Sequence, residues 1–385
     1  MRRTRRLAHS AAFAGLLASA LLASPLRAQS VLDSELRLAP QFLQYRFDAP
    51  TSESISQVAI PLFVTIPVSE RLTFDVGTSY ARSRVTAGST VSEVNGLTDT
   101  QVRGNLTLGS DFIVLTAGLN LPTGQSSVTL DQFAAAGLIG NDFLAFPVSN
   151  MGTGFAVTGG VAVARPIGAW NLGVGAAVRR STAYEPFNIP GQALRFQPGN
   201  EYRARVGVDR TVGSGRVALG LTYAAFGKDD AGGSVYNTGD RVIAQAVYSA
   251  VLPGREITIA AYDVLRGPGS YASGDPAGRE NIADVFASMG FNSLGMLVEP
   301  SVELRHWLQS VPGVASGTTT SSDRSQSSVL GTLGLRTRVA LGGVRVFPGI
   351  GYTLGSLASS DAAGAPATAR LTGFRAQLAM RIGGS

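Results

Sequence analysis

Apolar and polar residues alternate along most of this chain. In "RVALGLTYAAF" (216–226), Val217, Leu219, Leu221 and Tyr223 share one phase, and Ala218, Gly220, Thr222 and Ala224 the other. In "EYRARVGVDR" (201–210), Tyr202, Ala204, Val206 and Val208 alternate with Arg203, Arg205, Gly207 and Asp209. Successive side chains of a strand point to opposite faces, so period two predicts strands with one apolar and one polar or small face. The pattern predicts sixteen strands, near 34–47, 55–66, 71–86, 97–108, 111–121, 152–165, 168–180, 200–212, 215–226, 241–252, 254–265, 282–292, 295–307, 327–341, 343–354 and 370–382. Pro40 interrupts the alternation of the first.

The links between them alternate in length. Short links fall at 67–70, 109–110, 166–167, 213–214, 253–254, 292–294 and 342–343. Long links, rich in Gly, Ser, Thr, Asp and Pro, fall at 48–54, 87–96, 122–151, 181–199, 227–240, 266–281, 308–326 and 355–369. Tight turns on one side and loops on the other are the topology of an outer-membrane barrel. Lipid offers no partner to an unpaired backbone group, so such a sheet must close. The expected fold class is all-β: a transmembrane, antiparallel, up-and-down β-barrel of about sixteen strands, within a range of twelve to eighteen. The competing reading is a soluble sandwich with its apolar face on a second sheet. Phe74, Tyr80, Phe155, Trp170, Tyr202, Tyr223, Tyr248, Tyr352 and Phe374 fall on the outward phase, where interface girdles would lie.

The first residues change the charge picture. "MRRTRRLAHS" is a basic segment, "AAFAGLLASALLA" (11–23) is apolar, and small Ala28 follows. This reads as a secretory signal peptide over 1–28, with the barrel over 29–385. The apolar run is too short to span a bilayer as a helix. The whole chain has 32 basic and 26 acidic residues, and 1–28 hold five Arg and no acid. The mature chain is therefore 27 against 26, or +1, and the basic balance is no sign of nucleic acid. There is no Cys, so there are no disulfides.

Candidate chemistry is sparse. His306 is the one His after the leader, on the outward phase of Val302 and Leu304. A Ser-His hydrolase would have to use it, and its surroundings show no such motif. No metal-ligand spacing appears, and neither a metal nor a cofactor is expected. The inward phases carry more: Arg103, Arg203, Arg205, Glu256, Glu299, Glu303, Arg305, Arg336, Arg338, Arg345, Arg375 and Arg381 lie opposite the apolar face. In a wet lumen such charges cost little and set what passes; the alternative is that they pair and merely tile the wall.

The stretch "GLNLPTGQSS" (118–127) ends a strand and opens the longest link. Pro122 cannot donate to a ladder, Thr123 follows, and Gly124 permits a sharp turn. "LDQFAAAGLI" then predicts one or two helical turns, with Leu130, Phe133, Ala134 and Leu138 on one stripe. Asp131 and Asp142 are the loop's acidic residues. An apolar stripe on a loop calls for cover. It would either fold into the barrel mouth and narrow it, or lie on the outer rim.

Gly118, Leu119, Leu121, Pro122, Thr123 and Gly124 together resemble the strand-Leu-Pro-Thr-Gly signature of the MetA-pathway phenol-degradation family of outer-membrane barrels. The resemblance implies porin-like uptake of small, often aromatic compounds. The function expected is passive passage of small molecules across the bacterial outer membrane. The alternatives are a surface-interaction barrel with a plugged lumen and, third, a barrel enzyme. The partners expected are outer-membrane lipid and lipopolysaccharide, the barrel-assembly machinery and a small-molecule solute.

Overall fold

Each strand of this chain pairs with the strands before and after it, and the last returns to the first. The computed structural model describes residues 34–383 apart from 49–52, 110–111, 192, 272, 274, 294, 312–314, 317–318, 321–323 and 361–365. The signal peptide expected over 1–28 lies outside the described residues.

The strands are β1 (Glu35–Leu38 and Gln41–Asp48), β2 (Glu53–Pro67), β3 (Leu72–Ala87), β4 (Thr90–Leu97 and Thr100–Leu108), β5 (Ile113–Leu121), β6 (Ala156–Ile167), β7 (Trp170–Ser181) and β8 (Glu201–Val212). They continue as β9 (Gly215–Phe226), β10 (Arg241–Leu252), β11 (Arg255–Arg266), β12 (Arg279–Ser293), β13 (Met296–Val311), β14 (Arg324–Leu341), β15 (Val344–Ser360) and β16 (Pro366–Ile382). The main sheet has 18 segments; β1 and β4 are each in two pieces, which leaves sixteen strands. All neighbours are antiparallel, and β16 closes the sheet on β1 with Leu43 opposite Arg375 and Leu36 opposite Ile382.

The two interruptions have different causes. At Ala39–Pro40 the ladder loses donors, because Pro40 and Pro61 both lack an N–H. It is bridged where Ala39 N donates to Pro61 O (3.1 Å) and Leu378 N to Pro40 O (2.8 Å). In β4 the break falls at Thr98–Asp99, where the loop between β5 and β6 lands.

Two expected links differ. Residues 87–96 are not a loop: 80–87 pair with 90–97, and the turn is Gly88–Ser89, with Gly88 at φ +57°. The short link expected at 166–167 is the end of β6, and the turn is one step later at Gly168. Elsewhere tight turns and long links alternate as expected. Gly213 and Gly342 sit at φ +58° and +59° in open space, so backbone conformation alone requires glycine there.

The outer face is an apolar belt. Val58, Ile60, Leu62, Val157, Val161, Val174, Leu219, Leu221, Val285, Leu304, Leu333 and Ile350 are all exposed. A continuous apolar surface of this kind has no place in water, and it fits the lipid-facing band of a membrane barrel. Phe74, Trp170 and Tyr248 stand toward the tight-turn end, and Tyr80, Tyr202 and Tyr223 toward the loop end. Tyr352 and Phe374 face each other in mid-strand. Phe155 lies in the loop before β6 rather than on the belt.

On β1–β4 the phases change roles near the loops. Leu43, Tyr45, Phe47, Ile55, Ala59, Ala81, Val85 and Val94 face inward and are buried. Arg46, Arg82 and Arg84 occupy the outward phase there and are exposed. Something apolar must fill the barrel at this point.

The belt sets an expected outcome. Leu219→Arg should destabilise the folded barrel in bilayers by about 2–4 kcal/mol. Ala218→Arg, one phase away and beside the Arg216–Asp209 ion pair (2.8 Å), should be tolerated. Folding titrations in lipid vesicles measure both; equal damage would mean that the belt is not lipid-facing.

Candidate functional site

The inward apolar wall is covered by the loop between β5 and β6. Leu121 ends β5, and the chain turns at Pro122 and Thr123 onto the break in β4. Thr123 Oγ1 accepts from Thr100 N (2.8 Å) and donates to Thr98 O (3.1 Å). The Asp99 carboxylate is buried and accepts from Gly124 N (3.1 Å), Asn120 Nδ2 (2.8 Å) and Thr153 N (2.7 Å), so it ties both ends of the loop together. Gly124 lies against the backbone of Asp99, where an added Cβ would stand 2.6 Å from Asp99 N. Leu-Pro-Thr-Gly is therefore the root of a latch, and glycine is demanded by close approach rather than by a positive φ.

Past the latch, a 3₁₀ turn (Leu130–Gln132) runs into α1 (Phe133–Ile139). Gln132 Oε1 accepts from Thr129 N (3.1 Å), half of a capping box. Ser92 of β4 donates to Asp131 O (2.5 Å) and accepts from Ala135 N (3.2 Å), which fixes the helix start on the wall. The buried face differs from the expected stripe. Ala135 and Ile139 are buried, Leu130 is 60% exposed, and Ala134 is also exposed. The 3₁₀ turn shifts the phase of α1, so a 3.6-residue count begun at Leu130 falls on the wrong side. Phe133 packs edge-on against Phe187 (5.1 Å) of the β7–β8 link, and Leu138 packs at the margin of the core.

Most of the burial comes after the helix, from "FLAFPV". Phe143, Leu144, Phe146, Val148 and Met151 join Leu43, Tyr45, Phe47, Ile55, Val85, Val94, Ile282, Leu330 and Leu371 in one apolar core inside the barrel. Polar contacts fix its register. Tyr45 Oη donates to Leu144 O (3.1 Å). Gln57 Nε2 donates to Val148 O (2.7 Å), and Gln57 Oε1 accepts from Val148 N (2.9 Å), like one rung of a ladder. Arg305 Nη1 donates to Phe143 O (3.1 Å). Asp131 and Asp142 lie outside this core.

The charged side chains divide between two walls. On β11–β16 most of them pair. Arg305 binds Asp284 (2.7 Å) and Glu303 (2.7 Å), and Glu303 also faces Arg375 (3.4 Å). Arg336 binds Glu299 (2.7 Å), which also accepts from Ser288 (2.9 Å). Arg338 reaches Glu256 (3.4 Å), and Arg381 of β16 reaches Glu35 (2.6 Å). Arg345 stands opposite Arg381 in register. On β4, β7 and β8 the balance is cationic. Arg203 pairs with Glu201, while among the described residues no carboxylate lies within 4.0 Å of Arg103, Arg179 or Arg205. Arg103, Arg179 and Arg203 line one crevice of about 230 Å³ with Gln101, Asn120 and Thr158.

Periodicity alone does not single out several of these groups. Arg179 shares its phase with Gly175 and Ala177 and was legible on the same grounds as Arg203. Asp99, Gln57 and Asn120 carry no pattern of their own; their roles come from where the loop lands.

Among the described residues no cluster of His, Cys, Asp or Glu could hold a metal ion. His306 lies on the outward face, between Ala283 and Val329 in register.

No protein-family model matches the chain, and no curated protein matches it. Solved structures do align with it over most of its length. The loop L8 deletion mutant of OmpT, an outer membrane protein of Vibrio cholerae, is 11% identical, with 90% of this chain and 98% of that chain covered and a TM-score of 0.41. An anion-selective porin from Comamonas acidovorans is 12% identical, covering 91% and 98%, with a TM-score of 0.41. The COG4313 outer membrane channel from Pseudomonas putida F1 is 10% identical, covering 90% and 94%, with a TM-score of 0.35.

Asp99→Ala should release the loop without opening the barrel. It leaves Gly124 N and Thr153 N unpartnered, at a cost of about 1–3 kcal/mol each where they stay buried, while Asn120 Nδ2 keeps only Gly154 O (2.6 Å). Limited proteolysis of the folded protein should then cut within 125–150, while the wall keeps the fast gel migration of an unheated, folded barrel. Phe143→Ala should have the same effect, since emptying that site costs about 3–5 kcal/mol.

Proposed function

We propose that this chain is an outer-membrane channel for passive passage of small molecules, in which the β5–β6 loop sets the bore. The observation that carries it is the unequal filling of the lumen. The loop covers the wall formed by β1–β4, β12, β14 and β16, and leaves the wall formed by β4, β7 and β8 lined by exposed arginine and amide side chains. Water-exposed charge facing inward has a purpose in a conduit.

The exposed apolar belt and the turn–loop asymmetry support placement in the bacterial outer membrane, with the loops outside and lipopolysaccharide around their rim. Entry through a signal peptide and the barrel-assembly machinery belongs to this reading. So does uptake of small aromatic compounds, which rests on the resemblance of residues 118–124 alone. A second reading has one specific observation in its favour: Phe143 and Leu144 are completely buried, as they would be in a permanent plug that makes the barrel a surface-interaction scaffold.

The two readings part in planar bilayers. A channel gives stepwise conductance, and deletion of residues 126–146 should enlarge the steps and admit larger solutes in vesicle swelling. Loop-closure entropy grows slowly with length, so the deletion should leave the ladders folded. A parent that carries no current and a deletion that does would establish the plug.

A further inference from the structure

Two crevices share residues, one in the cationic wall and one on β1–β4 toward the tight turns, away from the residues that the loop covers. The first holds Arg103, Arg179 and Arg203 with polar side chains. The second, of about 420 Å³, is lined by Phe63, Gly77, Arg37 and Asp75, and meets the first at Gln101 and Arg103. Phe63 lies on the inward phase of β2, opposite Gly77 in register, and is 52% exposed. Its ring lies across Gly77, where an added Cβ would meet it at 2.7 Å. An aromatic face is thus held open to the lumen beside a guanidinium.

The charges around it are not equivalent. Four arginines (37, 103, 179 and 203) and two acids (Asp75 and Glu201) line the joined crevices, a net of +2. Glu201 is taken by Arg203, and Glu35 takes Arg37. Asp75 accepts from Thr65 Oγ1 (2.9 Å) and Asn105 Nδ2 (3.0 Å). Asp75 stands opposite Arg103 and Glu201 opposite Arg179 in register, but with those carboxylates held elsewhere, neither arginine has a carboxylate within 4.0 Å among the described residues. The guanidinium fork matches a carboxylate in shape and charge, and it stays charged at any relevant pH.

We infer that this wall is a binding site for small organic carboxylates, with the carboxylate on Arg103 and Arg179 and the apolar body on Phe63. It rests on the channel reading for its physiological meaning, since it names the solute class that such a channel would favour. The net positive wall draws the anion in, the stacked ring selects an apolar body, and most of the inward arginines of β11–β16 are already held by carboxylates.

Titration calorimetry of the detergent-folded full chain tests it, with benzoate, benzyl alcohol and acetate as probes. Benzoate should bind at least about tenfold tighter than neutral benzyl alcohol, the scale expected for a charged hydrogen bond. Arg103→Gln combined with Arg179→Gln should remove that difference, and Phe63→Ala should weaken benzoate while leaving acetate unchanged. Heat-modified gel migration confirms that each variant is folded. Equal binding of benzoate and benzyl alcohol, undiminished benzoate binding in the folded double variant, or no benzoate binding at all would overturn the site. Binding here needs no current. A chain that binds benzoate yet carries no current keeps the site and loses the channel; one that conducts and does not bind keeps the channel and loses the site.

Discussion

In lipid an unpaired backbone amide or carbonyl has nowhere to go, and that constraint organises this molecule. It requires β16 to return to β1, and it explains why the ladder is bridged across the prolines at 40 and 61 rather than abandoned there. Closure then fixes everything else. Every strand gains an inside and an outside, and each side chain belongs to one or the other by parity. A one-residue slip anywhere would carry leucines inward and arginines into the bilayer, so register is held by burial on both faces.

Closure also makes an interior that has to be filled or wetted, and the chain does both. On one side the β5–β6 loop brings its own apolar residues and turns the barrel mouth into a packed core. On the other, small residues such as Gly118, Thr158 and Ala177 hold the wall back from the loop, and arginines face the space that remains. The latch at Asp99 decides which side receives the loop. It uses the break in β4, where the Thr98 carbonyl accepts from Thr123 and Gly124 lies against the backbone of Thr98 and Asp99.

The strands and their parity were legible in the sequence, since alternation with outward apolar residues is a direct image of lipid on one side. The pattern failed where the environment departs from that image. Residues 90–97 read as a loop because Glu93 and Asn95 point outward above the lipid while Val94 points inward. The alternation there is intact, but its sense is reversed over Glu93–Asn95, while Val91 and Leu97 still face outward and Ser92 inward. The first strand was blurred for the same reason, as Leu43, Tyr45 and Phe47 face a plug that lies some hundred residues further along the chain. The loop's inward path was one of two open readings, and its buried face was misjudged because a 3₁₀ turn precedes α1. Arg305 and Arg103 both stand opposite an aspartate in register, Asp284 and Asp75; Asp284 binds its arginine while Asp75 is held by Thr65 and Asn105, a difference that periodicity does not supply.

One half of the lumen is packed and the other is wet, and everything said of the bore depends on that division. Because the chain has no cysteine, single substitutions can report on it directly. Leu144→Cys lies in the packed half and Gln101→Cys in the open one. Folded barrels carrying each should be exposed to a charged methanethiosulfonate reagent and the labelling rates compared. Reaction should be rapid at 101 and slower by orders of magnitude at 144. Comparable rates at the two positions would mean that the loop does not fill the lumen, and the division into a packed and a wet half would be wrong.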